Sequence, residues 1–389
     1  MEKKKLTSKE RLLLTMEYKE TDYLPCSFMM FHSLRDRFPG DWRAFLDAQL
    51  DLGLDAVAEL PELPFAFHPE VKVEEWKEGP GDGAYPVMHK KYETPAGTIH
   101  TEVKQTRDWP HGDHIEFYDD HNVPRSNRFH VNGRLDLRSF RYMMLPPTAD
   151  QIRDFREGSA EVKKFAQEKG LLTRGVRGVL IDAAIRFAGV ENLIFAALED
   201  PEYLEEYLGI IWDWNMQRME IVLDEKPDLF LRRAWYENMS FWSPDMFRRF
   251  MKQYLVREKR WSREAGAKFG YINSCMYMQL LDDFKDIGID VLIGVDPVED
   301  IQLDAAALKR EAQGSICLWG GGNGFVTVET GSPDEVRREV NDAIDTFAPG
   351  GGFILSPVDN VRDMSGKTME NAKVFIEAWK ARREIDKQA

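Results

Sequence analysis

Lys268-Phe-Gly-Tyr-Ile-Asn273-Ser-Cys275, Asp290-Val-Leu-Ile-Gly-Val-Asp296-Pro297, Ser315-Ile-Cys-Leu-Trp-Gly320-Gly-Gly-Asn323 and Gly350-Gly-Gly-Phe-Ile-Leu-Ser356-Pro-Val-Asp359-Asn360 repeat one pattern. Each is a short apolar run that ends in a polar or glycine-rich tip. Amphipathic helical patterns separate them. Nearly continuous apolar strands alternating with helices read as buried parallel strands. In such folds the chemistry gathers at the carboxyl ends of the strands, where these tips fall. The stretch therefore reads as the second half of a (β/α)8 TIM barrel.

Working outward, the same rhythm covers most of the chain. Strand signals start near residues 23, 55, 171, 228, 268, 290, 315 and 351, about the eight that a barrel needs. Thr7–Tyr18 reads as an opening helix, and Trp42, Phe45, Leu46 and Leu50 share a face of a second. Thr148-Ala-Asp-Gln151 is a capping signal for a helix to about Lys169. Asp200-Pro201 and Ser243-Pro244 each give an N-cap with a first-turn proline.

Residues 70–145 break the rhythm. Val71–Trp76, Val87–Tyr92 and Thr98–Val103 alternate, with Gly79-Pro-Gly-Asp-Gly83 and Thr94-Pro-Ala-Gly97 between them. These are antiparallel hairpin signals. The expectation is one barrel domain over residues 1–389, with 70–145 a hairpin-rich insertion over the barrel mouth. That insertion could be a lid, a substrate wall or a dimer contact.

Composition narrows the function. A chain of 389 residues fits one elaborated barrel, and 43% apolar content allows a large core. With 52 basic against 67 acidic residues the net charge is −15. That argues against a nucleic-acid surface, which needs a concentrated basic face. Cys26, Cys275 and Cys317 form no CxxC pair and no disulfide framework. No apolar run approaches the roughly 18 residues of a membrane span, and no apolar stretch follows the basic Met1–Lys5. A cytoplasmic protein is expected.

Several polar groups fall at strand ends: Glu237, Asn273, Cys275, Asp296, Asn323, Asp359 and Asn360. Asp296-Pro297 reads first as a turn or helix-cap acid. Cys26 and Cys317 read as core. Cys275 is open between rim packing and a functional thiol. Glu237, beside Trp235 and Tyr236, is open between a catalytic carboxylate and a structural acceptor. The triple glycines at 320 and 350 allow tight turns or close approach of an anion to the backbone. His32 faces the mouth, whereas His111, His114, His121 and His130 lie in the inserted block, where surface or hydrogen-bonding roles are expected. No HExxH or CxxC metal pattern is present.

Tyr92-Glu-Thr-Pro-Ala-Gly97, Ser243-Pro244, Asp290–Pro297 and Phe347-Ala-Pro-Gly-Gly-Gly-Phe-Ile-Leu-Ser-Pro357 together make the chain similar to the uroporphyrinogen decarboxylase superfamily. The resemblance spans nearly the whole chain and also implies the barrel. That group includes cobalamin-dependent methyltransferases. True decarboxylases carry an arginine-rich RQAGRY motif after the first strand. Here Cys26–Arg35 lacks it, so a polyanionic porphyrinogen loses its cationic grip. The thiol methyltransferases hold zinc through His-x-Cys and a later cysteine. Here Asn273-Ser-Cys275 replaces the first pair, and Ser356–Asp359 lacks the second.

The remaining branch resembles substrate-side methyltransferases of O-demethylation. By that resemblance the chain would move a methyl group from a methoxylated, possibly aromatic, donor to the Co(I) of a separate corrinoid protein. Glu237, Tyr236 and Asp359 would be the acid candidates. Phe28, Met30, His32, Trp235, Asn273 and Asn323 would bind substrate, and Cys275, with Glu237 and Asp359, could hold zinc. A homodimer is a further family expectation. Two alternatives are a decarboxylase of a different carboxylated substrate and a non-catalytic corrinoid- or tetrapyrrole-binding module. Arg174, Arg177, Arg186, Arg232 and Arg233 are the cations that the decarboxylase would use.

Overall fold

Residues 5–80, 83–118 and 124–384 are described in the computed structural model. They divide into two compact units. One comprises Met1–Glu62, Phe155–Gly178 and Val222–Ala389; the other comprises Leu63–Asp154 and Val179–Ile221.

The first unit is a barrel of parallel strands. β1 (Val57–Glu59), β6 (Leu172–Gly178), β7 (Leu229–Arg233), β8 (Lys268–Ile272), β9 (Val291–Val295), β10 (Cys317–Asn323) and β11 (Phe353–Val358) are hydrogen-bonded in that order. The intervening β2 to β5 belong to the other unit. The eighth stave is the irregular segment 24–30. Leu355 N donates to Pro25 O and Ser27 N donates to Leu355 O, while Asp55 N donates to Cys26 O on the β1 side. Parallel bridges at Cys26–Leu355 and Met30–Asn360 complete the closure. The strand starts expected from the sequence thus all fall on staves. Pro25 explains why the first stave is irregular, since it lacks the amide N–H of a ladder.

Side chains from every part of the sheet meet inside the barrel. Leu172, Leu229, Leu231, Ile272, Val291, Ile293, Cys317, Trp319, Ile354 and Met29 form one buried cluster, joined by Leu12 and Met16 of the helix Ser8–Met16. Cys317 and Cys26 are core residues, as expected. Gly320 is required by packing. It has φ +150, and a Cβ there would stand 2.3 Å from Val295 O, at the register shift between β9 and β10.

The helix Ser8–Met16 is capped by Thr7 and Glu10, each bonding the other's backbone N–H. Its Arg11 is almost fully buried. The guanidinium bonds Asp55, donates Nε to Asp22 at 2.7 Å and Nη2 to Leu6 O at 2.8 Å, and lies 3.6 Å from the Tyr23 ring centroid. Asp55 also accepts from Cys26 N at 3.2 Å. Sealing the first stave to β1 therefore depends on one buried ion pair.

The second unit contains an antiparallel sheet of β2 (Lys72–Glu78), β3 (Val87–Thr94), β4 (Gly97–Lys104) and β5 (Ser126–Arg128) in that order. Pro95-Ala96 makes the two-residue turn, with Gly97 at φ +136 and Thr94 Oγ1 donating to Gly97 O at 2.8 Å. One sheet face buries Met88, Tyr92, Ile99, Thr101 and Val103. Phe117 joins Phe65, Phe67, Tyr92, Phe140 and Phe187 in an aromatic core of the same unit. No helix among the described residues is long and apolar enough to cross a membrane.

Arg11→Met should cost about 3–5 kcal/mol at pH 7, because it leaves the Asp55 carboxylate buried without its partner. The urea midpoint measures this. Arg11→Met combined with Asp55→Asn should recover a large part of the loss.

Candidate active site

β7 carries Arg232 on the face opposite Leu231, toward the outer helices, and burial leaves the guanidinium fully excluded from water. Its Nη1 bonds Glu258 on the helix Gln253–Glu264, and its Nη2 donates to Glu237 Oε1 at 2.6 Å. Tyr271 on β8 donates to Glu237 Oε2 at 3.0 Å, and Asn273 Nδ2 donates to Glu237 O at 3.2 Å. Glu237 is itself fully buried. The sequence placed its carboxyl against Trp235 and Tyr236. The structure gives it an arginine and a tyrosine hydroxyl instead, both from neighbouring staves. One cation faces two acids, and burial pushes Glu258 up to about 7 while the neighbouring acids raise Arg232. Glu258 Oε2, buried without a hydrogen-bond partner, is where a proton would sit.

A second group lies after β8. Cys275 Sγ accepts from Asn238 Nδ2 at 3.6 Å and stands 3.9 Å from Ser240 Oγ. Burial raises the Cys275 thiol above its ordinary value. Asn273 Oδ1 and the Tyr277 hydroxyl are buried without hydrogen-bond partners. Met276, at φ +50, donates its N–H to Asp300 at 2.7 Å.

A third group follows β9 to β11. Asp296 Oδ1 accepts from Val298 N at 2.9 Å and Glu299 N at 3.1 Å, which is the turn-capping role expected of Asp-Pro. Its Oδ2 accepts from Asn323 Nδ2 at 2.6 Å. Asn323 N donates to Glu339 at 2.5 Å, and Thr327 Oγ1 also donates to that carboxylate. Burial raises Asp296, and it pushes Glu339 up to about 7. Glu299 is raised by partial burial and then by the charges of Asp296, Asp359 and Asp300. Glu299 is nevertheless exposed as a residue, and that exposure leaves it open to an incoming molecule. Asp359, at φ +62, is half-exposed, with Arg362 4.0 Å away.

The remaining expected residues have these positions. His32 Nδ1 lies 2.5 Å from Asn360 Nδ2, and His32 N donates to Asn360 Oδ1 at 3.3 Å. Phe28 is buried between Phe31 and Phe375, at ring distances of 4.7 and 5.3 Å. Met30 and Trp235 are partly buried and pack on the barrel interior. The Tyr236 ring is 5.7 Å from Phe241. Of the histidines in the inserted block, His121 lies outside the described residues. His130 is buried among Tyr92, Phe117 and Phe187, and burial holds it down to about 3.

Cys275, Glu237 and Asp359 do not converge as metal ligands. Among the described residues, the group of three histidine, cysteine or acidic side chains whose ligand atoms come within 4.8 Å of one another is His89, His100 and Glu102. Glu237 is turned to Arg232 and Tyr271. The donor set for zinc-thiolate chemistry does not fit here.

A cavity of about 590 Å³ lies beside the Asp296 turn, lined by Pro297, Val298, Thr327, Arg338, Glu339 and Asp342 among others. None of Glu237, Cys275 and Asp359 lines it. Glu299 and Asp300 were not singled out in the sequence. The available signal was Asp296-Pro-Val-Glu-Asp300, three acids in five residues directly after a strand.

A parallel barrel whose polar groups collect at its strand ends defines a TIM-barrel-type protein. The sequence profile described as Uroporphyrinogen decarboxylase (URO-D) matches residues 182–382, more than half of the chain, and the chain belongs to that family. A solved methyltransferase from Methanosarcina mazei shares the fold, with a TM-score of 0.62 at 16% identity, covering 97% of this chain and 99% of that one. A B12-independent methionine synthase from Shewanella sp. W3-18-1 (TM-score 0.40, 9% identity, 57% and 64% coverage) is too distant to carry an argument. A sugar phosphate isomerase/epimerase from Parabacteroides distasonis ATCC 8503 (0.42, 10%, 94% and 99%) is equally distant. No curated protein sequence matches the chain.

Glu258→Gln should flatten the pH dependence of stability. The folded carboxyl is raised from 4.5 to about 7, so its contribution is fully present below 4.5 and lost as pH rises through 7. Between pH 4.5 and 7.5 the wild type should lose about 1–3 kcal/mol more than the variant, as read by denaturant unfolding at each pH. Some slope should persist in the variant, because Glu339 titrates in the same window.

Proposed function

We propose that the chain is a methyltransferase that moves a methyl group from a methoxylated donor to the Co(I) of a separate corrinoid protein. The observation that carries this reading is the electrostatics of the strand ends. Asp296, Glu299, Asp300 and Asp359 stand in the segments after β9 and β11, and three of them raise the fourth, Glu299, by their charges. Three of the five arginines that a polycarboxylate could use, Arg174, Arg186 and Arg232, are engaged. Arg232 is committed to Glu237 and Glu258, and Arg174 donates to Glu59 at 2.7 Å. Arg186, in the other unit, donates to the carbonyls of Glu116 and Phe117. The Arg177 side chain lies outside the described residues. An acidic mouth repels a polyanion and tolerates a neutral ether.

In the proposed reaction the methyl carbon–oxygen bond breaks, the methyl group passes to the partner's cobalt, and the oxygen takes up a proton. The proton must come from an accessible acid. Glu299 combines exposure with a raised carboxyl. Asp359 is its neighbour, and Tyr236 remains a hydroxyl donor on the same barrel. Glu237, held by Arg232 and Tyr271, would then position the loop after β7. Exposed apolar side chains support docking of a protein that carries the corrinoid. Ile301 is 88% exposed after β9, Phe325 59% after β10 and Met364 49% after β11.

The test is incubation of the chain with a reduced corrinoid protein and a panel of methoxylated compounds. Methyl-cobalt absorbance with at least one donor is expected. Glu299→Gln should lower turnover by roughly 100-fold or more with little change in KM, while Cys275→Ser keeps most activity. Carbon dioxide release from a polycarboxylate, without methylation of any corrinoid, would move the assignment to a decarboxylase.

A further inference from the structure

We infer that the β3–β4 hairpin carries a divalent transition-metal site built from His89, His100 and Glu102, independent of the barrel chemistry. The register brings the residues together. His89 lies directly opposite Glu102, and His100 lies opposite Lys91, two residues along from His89. All three side chains therefore leave the same sheet face. This is the face opposite the one that buries Met88, Tyr92, Ile99 and Val103.

One ligand atom from each of the three comes within 4.8 Å of the others, within reach of one metal of the zinc type once the two rings, whose centroids are 5.3 Å apart with the nitrogens facing each other, turn toward it. His89 Nδ1 and His100 Nε2 are 3.1 Å apart. Glu102 Oε1 lies 4.0 Å from His89 Nδ1. Two nitrogens bound tetrahedrally at 2.0–2.1 Å would be separated by about 3.3 Å. Two imidazoles and one carboxylate select zinc, nickel or copper over magnesium or calcium.

The simpler reading is one N–H···N bond between neutral rings. It leaves His89 Nε2 unexplained, because that atom is buried without a hydrogen-bond partner while the ring is 7% exposed. Whichever tautomer His89 adopts, the direct bond leaves this nitrogen unpaired at a cost of about 1–3 kcal/mol. A cation on Nδ1 fixes the proton on Nε2. Glu78 Oε2, exposed and 3.8 Å from that nitrogen, is within a side-chain rotation of serving as the outer carboxylate that metal-bound histidines commonly use. Trp76 stacks on both imidazoles, at 4.9 and 5.3 Å, and fixes their planes. Lys91, opposite His100 in the register, is engaged by Glu74 at 2.7 Å and Glu93 at 3.1 Å.

The experiment uses the full chain without a histidine tag. After chelator treatment and dialysis, zinc is titrated calorimetrically, and the metal content is measured by mass spectrometry. One zinc per chain is expected, with no heat from magnesium. His100→Gln should weaken zinc binding by about 100-fold or more, and Glu78→Gln by about 10-fold, in line with inner- and outer-partner losses. His89→Asn should behave like His100→Gln, and far-UV circular dichroism confirms that each variant is folded. Cys275→Ser should keep the zinc, which separates this site from the barrel. Unchanged affinity in His100→Gln, or zinc lost only in Cys275→Ser, would overturn the inference, as would no binding by the folded wild type.

Discussion

A single guanidinium buried between the barrel strands and an outer helix carries much of the site's order. Arg232 reaches back to Glu258 on an outer helix and forward to Glu237 after β7. A charge in that position is costly unless both ends of its fork are occupied, and removing one partner leaves an isolated buried ion. The constraint is therefore transmitted in both directions. It fixes the helix Gln253–Glu264 against the sheet, and it fixes the loop from which Asn238 and Ser240 meet Cys275. Tyr271 and Asn273 on the next stave join through Glu237. Fold and site share this one network, so a change at Arg232 cannot be local.

The barrel was legible in the sequence because strand burial leaves an obvious pattern. Apolar runs such as Val291–Val295, buried on both faces, cannot be mistaken for alternating surface strands. Cap signals were equally direct. Thr148 accepts from Gln151 N and Ser243 from Met246 N, as the local sequence requires. The hairpins were found through Thr94-Pro-Ala-Gly97. The superfamily resemblance came from motifs that mix structural glycines and prolines with strand ends, and membership follows from the match over residues 182–382.

Side-chain pairing was not legible, because it depends on which staves become neighbours. Nothing in Asp228–Ala234 announces that Arg232 will be neutralised by a glutamate 26 residues onward. The metal-like group was hidden for a related reason. His89, His100 and Glu102 match no ligand spacing used in helices or zinc loops, and only the antiparallel register makes them neighbours. Phe28 shows the opposite case. A position at the mouth end of a stave looked suited to a substrate wall, yet its ring packs between Phe31 and Phe375. The irregular first stave alters which residues face inward, and the alternation rule does not carry through a segment held by isolated bridges.

Three carboxyls raised by burial illustrate why a shifted acid is not by itself a catalyst. Glu258 is sealed inside the barrel wall, with no route for a proton to reach a ligand. Glu339 is bonded by Asn323 N and Thr327, and it braces the turn after β10. Glu299 is raised less, but it is exposed and stands among acids that disfavour its ionised form. General acid catalysis needs geometry first and proton affinity second. On that ordering the exposed acid of the Asp296–Asp300 turn outranks the two more strongly perturbed ones. Asp296 contributes indirectly. By capping Val298 and Glu299 through its own carboxylate, it fixes the backbone that presents Glu299 to the mouth.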